Sequence, residues 1–291
     1  MSAALPTIAV TAGDPAGIGP EVVAKAVADP AMQALAHWRV IDTPRVDNAS
    51  PGVVSAECGH AAIEYVKAAV EMCLRGEADA MVTAPVNKEA VALNGIPFSG
   101  HTEFIARLCG NADTRMLLVG EKLRVIHVST HIALREACRL DQGRILRTIE
   151  LGHEAMRRMG FAKPRIAVCG LNPHAGENRL FGEEDAAFIK PAIAIARERG
   201  IRADGPHPPD TVFLRAVRGQ YDLVVAMYHD QGHIPMKLLD FEGGVNVSVG
   251  LPIVRTSVDH GTAFDIAGKG IADPTSMKAA MRLAVTLAGK K

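Results

Sequence analysis

The sequence has no excess of charge of either sign: 32 basic and 32 acidic residues leave a formal net charge of zero. No overall field therefore recommends a nucleic acid or an anionic membrane as partner, although local basic groups can still hold an anion. Cysteine is sparse and irregular. Cys58, Cys73, Cys109, Cys138 and Cys169 form no C-x-x-C pair and are odd in number, a pattern that suits reduced thiols better than a disulfide framework. No apolar run approaches the ~20 residues of a membrane span. The N-terminus lacks a basic segment followed by a long apolar one, so a cytoplasmic location is expected. Aromatic residues make up only 4% of the chain, and repeats, low-complexity tracts and long charge blocks are absent. Nucleotide-binding signatures are missing as well. The Gly-rich turn TAGDPAGIGPE, residues 11–21, matches neither G-x-G-x-x-G nor the phosphate-loop spacing with its Lys and Ser/Thr, which excludes a Rossmann fingerprint there.

What is present is a chain of 291 residues with 48% apolar content, enough for a sizeable core and two lobes. Apolar runs at 6–12, 79–85, 115–120, 124–130, 164–170 and 222–228 read as strands, and helical patterns fall at 20–28, 57–75, 102–109, 142–159, 184–199 and 274–288. Alternation of this kind predicts α/β layers with a largely parallel core. Asp273 before Pro274 is a good start for the last helix, because a carboxylate caps free N–H groups and proline tolerates the first turn. The stretch PRVDNASP, residues 44–51, is the best loop candidate.

Three histidines occupy equivalent places at or just past a strand's carboxyl end, where ligands bind in open α/β sheets: His131, His174 and His229. Singly, each reads as an ordinary surface histidine. Together, neutral imidazoles from separate strands can hold a divalent metal and leave positions open for substrate and water. A second group is Lys237, Asn246 and Arg255, in which the guanidinium fork suits carboxylate or phosphate and the lysine can change protonation when partly buried. A third is GHTEF at 100–104, where Thr102 is a candidate helix cap and the free N–H groups favour an anion.

Beyond these groups, TAGDPAGIGPE, TAPVNK, SGHTEF, GLNPHAGE, MYHDQG and LPIVRTSVDHGTAFDIAGKG occur in one order from about Ile8 to the end. In this the chain closely resembles the 4-hydroxythreonine-4-phosphate dehydrogenase family of vitamin B6 biosynthesis. The resemblance implies an α/β, two-lobed isocitrate/isopropylmalate dehydrogenase-like fold with a central cleft. It suggests an NAD-associated lobe of residues 1–100 plus 257–291 and a metal, substrate and dimer-interface lobe of 101–256. It also implies metal ligands at His131, His174 and His229, and substrate contacts at His101, Thr102, Asp210, Asp230, Lys237, Asn246 and Arg255. Similarity to isopropylmalate dehydrogenases sets the HGTAFD loop, with Gly261 and Asp265, against the adenosine end of NAD.

The activity implied is NAD-dependent oxidation of a phosphorylated four-carbon 3-hydroxy acid, then decarboxylation, with a divalent metal (Zn, Mg, Mn or Co) in a homodimer with a shared active site. Lys237 is expected to transfer a proton, and Asp210 and Asp230 to orient the site or relay that proton. The substrate put first is 4-hydroxythreonine 4-phosphate. His233 and Ile234 in HDQGHIPMK are more like a branch acting on 4-phospho-threonate, 4-phospho-erythronate or aromatic cis-diol carboxylates. The chain also passes quickly from its first helix to the segment near Val54, where family members usually carry an extra strand and helix. Readings of another class are a ligand-binding relative without catalysis, which an intact histidine set argues against, and a metal hydrolase, which lacks a convincing nucleophile.

Overall fold

The computed structural model describes residues 4–139, 141–240 and 243–289. Two compact units divide the chain, Met1–Thr114 with Val245–Lys291 as the first and Arg115–Gly244 as the second. The chain opens in the first unit with β1 (Thr7–Thr11), α1 (Gly19–Ala28), α2 (Pro30–Gln33), β2 (His37–Ile41), α3 (Ala56–Leu74), β3 (Ala80–Thr83), α4 (Lys88–Ala92) and α5 (His101–Leu108). The second unit holds β4 (Arg115–Val119), β5 (Arg124–His127), α6 (Leu134–Ala137) and α7 (Gln142–Arg158). It continues through β6 (Ile166–Cys169), a 3₁₀ segment at Pro173–Arg179, a π-turn at Asp185–Ile189 and α8 (Lys190–Glu198). It closes with β7 (Ala203–His207), α9 (Pro209–Val217), β8 (Leu223–Ala226) and α10 (His229–Leu239). The return to the first unit supplies β9 (Val245–Val249), β10 (Arg255–Val258) and α11 (Thr275–Ala288).

Strands of the first unit run in the order β2-β1-β3-β10-β9 and those of the second in the order β4-β5-β8-β6-β7. Pairing is parallel except for β9 with β10 and β4 with β5. Apolar runs such as AMVT, IAVC and LVVA are buried along their whole length, as strands covered on both faces must be. Helix starts follow local chemistry. Ser55 accepts from Cys58 N at 3.2 Å before α3, and Asp141 from Gly143 N at 2.9 Å before α7; before α11 Pro274 rather than Asp273 holds the cap position, and Asp273 accepts from Thr275 N at 2.7 Å from one residue further out. Among the described residues no helix is long and apolar enough to cross a membrane.

Several elements lie outside the strands and helices expected from sequence. β2 is an edge strand, mostly exposed, with no apolar run to announce it, and β7 is written ADGPH, which contains two residues that usually punctuate strands. α10 carries Gly232 and Pro235 inside a helix. The lobe boundaries also differ from those expected, for segments 101–114 and 245–256 belong to the first unit. The cause is packing. α5 buries Phe104 and Ile105 in a cluster with Ile63, Val66 and Met81, and β10 pairs with β3 from Arg255 to Ser257.

Candidate active site

In the second unit, β5 and β8 lie side by side in parallel with His127 opposite Ala226, so both chains leave the sheet at the same edge. Val128 N donates to Ala226 O at 2.8 Å and Ser129 Oγ to Met227 O at 2.8 Å, which holds the two exits together. They deliver His131 and His229, whose ring centroids are 5.8 Å apart, to a recess of about 320 Å³ shared with Ile132, Leu134, Tyr228 and Asp230. Gln231 fixes the start of α10: its Oε1 accepts from Met227 N at 2.7 Å and its Nε2 donates to Gly170 O at 2.8 Å. His229 Nδ1 meets Asp230 Oδ1 at 2.7 Å. Since a carboxylate only accepts, Asp230 selects the Nδ1–H tautomer of a neutral ring, the one that leaves Nε2 available to a metal.

Behind His229, His233 stacks on its ring at 3.6 Å, and His233 Nδ1 lies 3.1 Å from His127 Nε2 and 3.1 Å from His229 O. Gly232 makes this approach possible, because a Cβ there would fall 2.3 Å from His127 Nε2. His127 is 1% exposed, with Nδ1 on Met116 O at 3.3 Å, and burial pushes its pKa down to about 3. A base with a depressed folded pKa stabilises the fold fully above its unfolded pKa near 6.5, and that stability is lost as pH falls toward 3. Urea unfolding should therefore show about 2 kcal/mol less stability from this residue at pH 5 than at pH 7. His127→Gln should flatten the slope by one proton; an unchanged slope would show that His127 is not buried neutral.

The three histidines do not all meet. His174 is exposed on the 3₁₀ segment after β6, in a left-handed conformation (φ 52°). Among the described residues no group of three or more His, Cys, Asp or Glu converges to hold a metal ion. The expectation of three imidazoles around one cation is thus not met within one chain. The chemistry of the pair that does form, two imidazoles with one tautomer set by Asp230, still fits a divalent cation. Asp210 stands exposed in the first turn of α9, and Lys237 lies partly exposed in the last turn of α10.

In the first unit a second constellation surrounds Arg255. Its side chain is 2% exposed, and its guanidinium donates to Ser248 Oγ at 2.9 Å and Thr83 Oγ1 at 2.7 Å. Burial lowers its pKa to about 9 against the pull of Glu103, so it stays charged at neutral pH. Thr102 Oγ1 lies 3.1 Å from Ser248 Oγ. Thr102 is not the cap expected of it: α5 begins one residue earlier, at His101, with Gly100 in the cap position. His101, pushed down to about 3 by burial, is neutral. Its Nε2, Arg255 Nε and Asn246 Oδ1 are buried without a hydrogen-bond partner among the described residues. A desolvated cation that keeps an unused donor, hydrogen-bonded to two hydroxyls and with Glu103 acting on it through its charge, is a site for an anion. Thr83 and Ser248 were missed from sequence; Ser248 had a signal, standing two residues from Asn246 on one strand face.

Gly261 and Asp265 lie exposed on the loop after β10. That loop packs on the TAGDPAGIGPE turn: Ile18 N donates to Thr262 O at 3.0 Å, and a Cβ on Gly17 would sit 3.0 Å from Thr262 Cβ. Lys25 Nζ reaches Gly270 O at 2.9 Å and Ala272 O at 2.8 Å, tying the far end of the loop to α1.

Two α/β units of this kind define an isocitrate dehydrogenase-like protein. The isocitrate dehydrogenase of Methylococcus capsulatus matches with a TM-score of 0.58 at 17% identity, over 98% of this chain and 86% of that one, a likeness of fold alone. The chain belongs to the family described as pyridoxal phosphate biosynthetic protein PdxA, whose model matches residues 9–284. A D-threonate 4-phosphate dehydrogenase of Cupriavidus necator is 47% identical over all of both chains. The alignment spans 332 positions, so that relative carries segments this chain lacks. The crystal structure of a 4-hydroxythreonine-4-phosphate dehydrogenase from Klebsiella pneumoniae matches with a TM-score of 0.88 at 43% identity, over 100% of each chain.

Proposed function

We propose that this protein is an NAD- and divalent-metal-dependent dehydrogenase that oxidises the 3-hydroxyl of a 4-phosphorylated four-carbon acid and releases carbon dioxide from the resulting β-keto acid. The observation that carries the proposal is the buried Arg255, a charged guanidinium held by Thr83 and Ser248 with its Nε unused. Such a group is costly to fold around unless an anion completes it. Arg255, His101 and Thr102 hold the anionic ends of the substrate. Lys237 takes the hydroxyl proton; NAD, when bound, would supply the acceptor for the hydride of the same carbon. Asp230 orients His229, and Asp210 is a further polar contact. His131 and His229 would hold a divalent cation, which would supply a Lewis acid for negative charge developing on the substrate oxygen. The exposed carboxylate of Asp265, with Gly261, would take the ribose end of NAD and would disfavour an additional phosphate there.

His131 and His229 approach each other within one chain while His174 does not join them, which supports a homodimer in which a second copy completes the ligand set. The same segments carry exposed apolar side chains, Ile132, Leu134, Leu180, Phe181, Ile234 and Leu238, fit for burial against that copy. Location in the cytoplasm is in keeping with the absence of a spanning helix among the described residues.

For the substrate, similarity to the 47% identical relative supports 4-phospho-D-threonate ahead of 4-hydroxythreonine 4-phosphate, the name borne by the 43% identical structure. The two differ by a hydroxyl or an amino group. A parallel assay of both with NAD and Mg, Mn, Zn or Co, following NADH, should show turnover of at least one with a kcat/KM gap of about 10-fold or more. Turnover of neither, in protein that binds NAD, would overturn the proposal.

A further inference from the structure

We propose that Asp185 is the positioning residue for His174, the carboxylate that sets the turn on which this imidazole is presented; the inference rests on the reading of His174 as a metal ligand. Asp185 is 2% exposed and opens the π-turn that leads into α8, a type of irregularity frequent at functional sites. Its Oδ1 accepts from Leu171 N at 2.9 Å, and its Oδ2 accepts from Asn172 N at 3.2 Å and Asn172 Nδ2 at 2.9 Å. Asn172 Nδ2 also donates to Glu184 Oε2 at 2.8 Å. All these donors belong to the two residues just before Pro173–His174.

On the other side of His174 the chain folds back over the same carboxylate. A Cβ on Gly170 would fall 2.6 Å from Asp185 Oδ1 and 2.7 Å from Ala175 Cα, and one on Gly176 would sit 3.4 Å from Asp185 Cβ. Between these anchors the backbone is left-handed at His174, Ala175, Glu177 and Asn178, with φ of 52°, 54°, 37° and 53°. L residues adopt that conformation at a cost in free energy, so the turn persists only where its surroundings determine it. Among its surroundings, Asp185 and the two glycines packed on it meet the turn from the side of α8, beside the turn's own bonds from Ala175 N to Asn172 O and Phe181 N to Gly176 O. The Arg179–Glu183 ion pair at 3.2 Å is more than half exposed at both ends, too solvated to hold the turn. A buried carboxylate accepting from two consecutive backbone N–H groups is the orienting partner that a ligand on a strained turn requires.

The test titrates chelator-treated protein with Co(II), read by its visible absorption bands, in the wild type, Asp185→Asn and Asn172→Ala. Asp185→Asn keeps the shape but faces an NH₂ toward N–H donors. Its Co(II) affinity should fall about 10- to 100-fold, while NAD affinity and the midpoint of thermal unfolding move little. Asn172→Ala removes one donor and leaves both backbone bonds; it should lose about 3-fold, less than the loss of the whole carboxylate, and it decides the matter if Asp185→Asn does not fold. Wild-type affinity in the folded variants would overturn the positioning role. Wild-type protein that takes up no Co(II) would overturn the metal reading itself, and this inference with it.

Discussion

Replacing Arg255 by methionine should raise KM for the phosphorylated substrate about 10²- to 10³-fold, as expected when a desolvated partner of a charged pair is removed, while leaving the protein as stable as before or more so. The two signs come from one structural fact. Arg255 is 2% exposed and its hydrogen-bond partners are the hydroxyls of Thr83 and Ser248, so the folded protein bears the desolvation of a charge that the pull of Glu103 offsets only in part and that a bound anion would offset further. An apolar side chain of similar length removes that cost, and exchanges of buried ions for well-packed apolar groups are neutral or stabilising by about 1–4 kcal/mol. Ser248 Oγ keeps Thr102 as a partner. Arg255→Lys should fall between, since it keeps the charge and loses the fork. The measurements are steady-state KM and the thermal midpoint. A destabilised variant with wild-type KM would mean that Arg255 is structural and the anion binds elsewhere.

On the proposed reading, His229→Ala should lower turnover by about 10³-fold or more, since it would remove a ligand of the cation proposed to stabilise the developing oxyanion. Asp230→Asn, which changes only what orients the ring, should lower metal affinity about 10- to 100-fold. The arrangement of ligands adds a sharper expectation. His131 and His229 are neighbours in one chain and His174 stands apart. If a second copy supplies the missing imidazole, inactive His229→Ala protein mixed with inactive His174→Ala protein should recover activity. Random exchange of subunits in a twofold dimer makes half the dimers mixed, each with one intact site of two, so recovery approaches about a quarter of wild type. Mixed protein as inactive as its parents would place all ligands of a site in one chain.

The parts of this protein legible in its sequence are those where burial leaves a one-dimensional trace. Apolar runs at 79–85, 164–170 and 222–228 became β3, β6 and β8 because strands covered on both faces need continuous apolar residues. Asp273 accepts the first N–H of α11 as its carboxylate suggested, though from one residue before the cap. His131 and His229 stood at strand ends, and the parallel pairing of β5 with β8 turned two distant positions into neighbours. β2 and β7 left no such trace, one exposed at a sheet edge and the other built from ADGPH. Thr83 and Asp185 were equally silent, because a threonine or aspartate reads as an ordinary surface residue until something charged or strained is found against it.

The order of apolar and polar residues determined by itself that this would be an α/β protein, where its central strands run, and which imidazoles and basic groups stand at their ends. These follow from local burial and capping. Tertiary structure alone decided that segments 101–114 and 245–256 join the first unit, that Arg255 is sealed beneath hydroxyls, and that one chain pairs two histidines and leaves the third apart. Those outcomes depend on which distant strands pair and in what register, and contacts between residues far apart in sequence have no signature in either stretch alone.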